Sequence, residues 1–122
     1  MQRSTQKRLF GMKARTVLVE NLPTTNGVLY TVPDNVRAKW ILAFVSNGTG
    51  STISDVHLKI ENDETITVLG SKSLGSGDFV QLKQDGGYVM LESGYSITGD
   101  AGSTGVSCIL TFEETPYLVS TV

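Results

Sequence analysis

Apolar residues in this chain recur at every second position over most of its length. Val17 and Val19 alternate with Thr16, Leu18 and Glu20, and Val56, Leu58 and Ile60 alternate with His57, Lys59 and Glu61. Val106, Cys108, Leu110 and Phe112 share one parity near the C-terminus. A period of two sends successive side chains to opposite faces of an extended strand, whereas a helix needs a period of 3.6. No segment shows the helical period, and neither heptads nor a solenoid repeat is visible. The chain is expected to be all-β.

Turn chemistry divides the pattern into eight or nine strands, spaced roughly ten residues apart. Pro23-Thr-Thr-Asn-Gly27 carries the Asn-Gly pair that supplies positive φ in tight turns. Pro33-Asp-Asn35, Asn62-Asp-Glu64 and Asp85-Gly-Gly87 are further turn signals. Gly70 to Gly77 and Gly99 to Gly105 are glycine-rich connections. Arg37 to Ser46 is the longest strand. Simple alternation puts Trp40, Leu42 and Phe44 on one face and Ile41, Ala43 and Val45 on the other, so both faces are apolar. Such a strand is covered on both sides, or one face meets another subunit. Short strands at this spacing indicate an antiparallel β-sandwich, jelly-roll-like in arrangement.

A length of 122 residues suits one domain with a core of its own. No apolar run approaches the roughly 20 residues needed to cross a bilayer. No secretory signal follows the basic N-terminus, which is expected to leave the chain in the cytoplasm. One cysteine, Cys108, excludes an intrachain disulfide and suits a reducing compartment.

Charge is unevenly placed. Arg3, Lys7, Arg8, Lys13 and Arg15 are half of the 10 basic residues, and no acid stands among them. The other five bases face all 12 acids, so the remainder carries a net charge of about −7. We read residues 1–13 as an extended basic arm and residues 14–122 as a single sandwich domain. Leu9 and Phe10 are the arm's only adjacent apolar pair and would anchor it on a partner. Arg3, Lys7, Arg8, Leu9, Phe10, Lys13 and Arg15 are therefore the candidate protein-interaction residues. The cations also suit phosphate, but Phe10 is their only aromatic neighbour and the acidic body repels nucleic acid, so DNA contact is not expected.

Catalytic and metal chemistry find little support. Cys108 lies on a strand's apolar face and reads as a small core hydrophobe. His57 stands at outward parity between Lys59 and Glu61 and reads as a solvated strand residue. The acids are scattered beside Gly and Asn, where they cap turns. No EF-hand spacing, phosphate loop or dinucleotide fingerprint appears. Asn47-Gly-Thr49 matches the glycosylation sequon but reads as a turn. Tyr30, Tyr88, Tyr95 and Tyr117 are candidate surface aromatics.

Three segments, Leu29-Tyr-Thr-Val-Pro33, Ile41-Leu-Ala-Phe-Val-Ser-Asn47 and Val56-His-Leu-Lys-Ile60, resemble small virion proteins of tailed bacteriophages. In those, a tyrosine-x-valine-proline strand end precedes a hydrophobic strand ending in Asn. A loop and an alternating strand then follow. Leu91-Glu-Ser-Gly-Tyr-Ser-Ile97 is similar to a further segment of the same proteins, with Tyr95 where they carry Asp. The resemblance spans roughly residues 28–98. It implies a β-sandwich structural subunit, with no catalytic residue and no cofactor to transfer.

The expectation is therefore a non-enzymatic, homo-oligomeric virion subunit assembled in the host cytoplasm. Its foremost form is an accessory capsid protein, cement or decoration, that binds and stabilises neighbouring capsid subunits. One alternative is a neck or tail component, such as a head–tail connector or fibre adaptor. Another is a carbohydrate-binding β-sandwich module, which needs exposed, coplanar aromatics.

Overall fold

The computed structural model describes residues 11–83 and 88–117, which form nine strands and no helix. They are β1 (Lys13–Val19), β2 (Gly27–Thr31), β3 (Val36–Asn47), β4 (Ile53–Asn62), β5 (Glu64–Leu74), β6 (Phe79–Lys83), β7 (Val89–Leu91), β8 (Ser96–Asp100) and β9 (Val106–Pro116). The first sheet runs β1-β9-β3-β6, with β7 also paired to β3; the second runs β2-β8-β4-β5. Every pairing is antiparallel. This is the two-sheet sandwich the alternation calls for. Asp85-Gly-Gly87 lies outside the described residues.

Between the sheets lies one apolar core. Val106, Cys108, Leu110 and Phe112 all face it, as do Val56 and Leu58. At its centre the Phe112 ring stacks on Tyr30, with centroids 3.9 Å apart, and lies 6.3 Å from Trp40. Tyr30 is thus a core residue and not a surface aromatic. Burial pushes the Cys108 thiol up to about 12, so the thiolate needed for nucleophilic or metal chemistry is suppressed.

Simple alternation fails on β3. Trp40 pairs with Phe112, but Leu42 pairs with the next residue back, Thr111, leaving Ile41 as a β-bulge. An extra residue reverses the parity of everything after it. Ala38 and Trp40 therefore share the core with Ala43, Val45 and Asn47, while Leu42 and Phe44 turn outward. The expected grouping of Trp40, Leu42 and Phe44 is corrected accordingly.

A second correction concerns Gly70 to Gly77, read as a connection. Strand β5 continues to Leu74, whose side chain is buried, and Lys72 pairs with Val56. Three further register shifts accommodate it, with Asp55 and Ser71 at φ of 57° and 46°. Long-range pairing here overrides weak local propensity.

Asn47 ends β3 as a buried fastener. Its amide donates to the carbonyls of Ser51 (2.7 Å), Leu74 (2.9 Å) and Gly75 (3.2 Å). Its Oδ1 accepts from the backbone N–H of Thr49 at 2.9 Å. A glycan has no room on an amide so engaged. Asn47→Ala strands several of these groups and should cost roughly 2–4 kcal/mol, given about 1–3 for each unsatisfied buried group. Urea unfolding measures it, and a loss below about 0.5 kcal/mol would contradict this role.

Candidate interaction surface

Of the predicted interaction residues, Arg3, Lys7, Arg8, Leu9 and Phe10 lie outside the described residues. Lys13, assigned to the arm, instead opens β1 opposite Glu114. Arg15 is on the same strand, with its Nε 4.0 Å from Glu114 Oε2. These two cations therefore stand at the edge of the first sheet.

What the structure adds is the outer face of that sheet. Leu18 pairs with Ile109, and Ile109 pairs with Phe44, so three apolar side chains form a row across β1, β9 and β3. On β6, Gln81 stands opposite Phe44, and Phe79, the partner of Ser46, reaches the row diagonally with its ring stacked on Phe44 at 5.1 Å. Leu18 is 75% exposed, Phe79 59% and Ile109 37%. The flanking row contains Thr16, Thr111 and Leu42, and on the other side Ser107 pairs with Ser46. Hydroxyls and apolar groups occupy the middle. Charge appears at Lys83, which faces Leu42 from the edge strand β6, and at the register partners Lys39 and Glu113. The sequence signalled the doubly apolar strand, but the bulge decides which of its residues reach this surface.

A cleft of about 300 Å³ opens beside β7, lined by Ile41, Val68, Leu82, Tyr88 and Val89 among others. Tyr88 is exposed and carries the Lys39 ammonium over its ring at 4.7 Å. The Arg37 guanidinium covers Tyr117 in the same manner at 4.9 Å. Trp40 is only 6% exposed, so it offers no platform for a sugar.

His57 is not the solvated residue its position suggested. Its Nδ1 lies 2.7 Å from Asp100 Oδ1 and its Nε2 3.2 Å from Ser71 Oγ. Hydroxyl, imidazole and carboxylate thus stand in the order of a nucleophile, a base and its orienter. Catalysis further needs donors aimed at the developing oxyanion and a concave site. Ser71 is instead exposed on the edge strand β5, and none of the three residues lines the cleft. We read the relay as a polar tie across β8, β4 and β5. Ser71 should remain unlabelled by a fluorophosphonate probe under conditions that label a serine esterase, and stoichiometric labelling by mass spectrometry would overturn this. No local signal foretells the relay, because its three members come together only through strand pairing.

A second tie involves Glu61, whose Oε2 accepts from Thr98 Oγ1 at 2.6 Å and Asn26 Nδ2 at 2.8 Å. Those bonds, Thr98's first, hold its carboxyl below the usual 4.5. A lowered folded pKa means stability present above about 4.5 and lost as pH falls through the folded value. Glu61→Gln should therefore flatten the acid limb of Tm against pH; an unchanged limb would contradict the assignment. Among the described residues, no three His, Cys, Asp or Glu side chains cluster to hold a metal ion.

The chain matches no protein-family model and no curated protein.

Proposed function

We propose that the chain is a structural subunit of a tailed-phage virion, an accessory capsid protein of the cement or decoration kind that holds neighbouring subunits together. The observation that carries this reading is the outer face of the first sheet, apolar at its centre, with hydroxyls beside it and Lys39, Glu113 and Lys83 at its rim. A solvated face of an antiparallel sheet ordinarily carries polar and charged residues. An exposed apolar patch with a polar surround is the composition of a protein–protein interface.

The order of strands also supports it. With β6 and β7 taken as two pieces of one edge strand, the chain alternates between its sheets in the manner of a jelly roll. That architecture is used in viral capsid domains. Arg3, Lys7 and Arg8 complement an anionic body, so the arm of one subunit suits the flank of another. In a shell the same contact recurs many times, and modest individual affinity suffices.

The test is to band particles of the phage encoding this chain and quantify it by mass spectrometry. Stoichiometry comparable to the major capsid protein is expected. A ring-sized copy number would move the chain to the neck or tail, and absence from particles would refute the reading.

A further inference from the structure

We infer that the outer face of the first sheet packs against the same face of a second copy, related by a two-fold axis. This rests on reading that face as an interface and names its partner. Three observations select a second copy.

The first is charge. The central row of Leu18, Ile109, Phe44 and Gln81, with Phe79 stacked beside it, carries no ionisable group, and the adjoining row of Thr16, Thr111 and Leu42 meets one only at Lys83 on the edge strand β6. A two-fold contact brings each patch against itself, so any central charge would meet its own like. A neutral centre satisfies that condition, whereas the basic arm or an acidic partner would find no counter-charge there.

The second is shape. Two copies of one sheet share the same right-handed twist, and equally twisted sheets pack face to face at about −30°, as in a sandwich. The third is area. From Ala38 to Ser46, β3 is paired on both sides. That length is about 30 Å, and four strands span about 19 Å, giving a footprint of about 600 Å² before side-chain relief. Stable interfaces bury about 600–1,000 Å² of accessible surface per partner. The face reaches the lower end of that range.

Sedimentation velocity on the full chain, from low to high micromolar, tests this together with Leu18→Lys and Ile109→Lys. Leu18 is on an edge strand and 75% exposed, so its variant keeps the fold even if Ile109→Lys does not; circular dichroism and Tm confirm it. The wild type is expected to dimerise, and each folded variant to associate about thirtyfold more weakly or worse, the scale of a central interface residue. A wild-type monomer at all concentrations, or a dimer indifferent to both substitutions, would overturn the proposal. Virion incorporation of the same variants separates the two readings. A monomeric wild type whose incorporation is abolished by Leu18→Lys sinks the dimer and keeps the virion contact. A dimer sensitive to Leu18→Lys but absent from particles does the reverse.

Discussion

Phe112→Ala is expected to remove about 3–5 kcal/mol of folding stability, the range for deleting a buried aromatic ring. Domains of this kind hold only about 5–15 kcal/mol, so the variant should be marginal or unfolded at ambient temperature. The size of the effect follows from how poorly the site can relax. Phe112 is fully buried on β9, which is central in its sheet, between β1 and β3. The rings that could collapse into the space are both fastened. Tyr30 donates its phenol to Glu114, and the Trp40 indole N–H donates to the Leu42 carbonyl at 3.1 Å. A cavity therefore persists, and its lining loses contacts outright. Urea unfolding with an unchanged slope measures the loss. A loss under about 1 kcal/mol would mean the core is packed otherwise.

Tyr30→Phe should cost about 1.5–3 kcal/mol, because it removes a hydrogen bond to a charged group. The phenol lies 2.5 Å from Glu114 Oε2, and Glu114 is only 6% exposed. Arg15, at 4.0 Å, remains as its only close cation among the described residues. Glu114→Leu together with Tyr30→Phe should recover part of the loss, since an apolar pair leaves no buried group unsatisfied. The pair also sets an alkaline limit. Burial first, then the bond to Glu114, raises the Tyr30 phenol well above its ordinary 10.0. A raised folded pKa gives stability that is complete below pH 10 and lost as pH climbs towards the folded value. Tyr30→Phe should remove that part of the alkaline decline. If wild type and variant decline in parallel above about pH 10, Tyr30 is not buried as described.

Much of the architecture was legible without coordinates. Strict alternation at Val56, Leu58 and Ile60, and at Val106 through Phe112, identified strands and their buried faces, because a strand's side-chain period is a local property of the backbone. The turns at Pro33–Asn35 and Asn62–Glu64 were equally local, with Asn35 and Asp63 at positive φ, whereas Asn26-Gly27 does not supply the positive φ expected of it and Gly27 instead opens β2. Charge separation was a matter of residue identity.

Pairing is different, because it joins residues far apart in the chain. The bulge at Ile41 exists because β3 must match β9, and it alone turns Leu42 and Phe44 outward to build the apolar face. Strand β5 runs through Gly70 because β4 lies beside it, and His57 meets Asp100 and Ser71 across two ladders. Residue order determined where the strands are and which way each begins to face. Only the assembled sheets decided where that parity breaks and which surface is left for a partner, since one unpaired residue inverts every side chain beyond it.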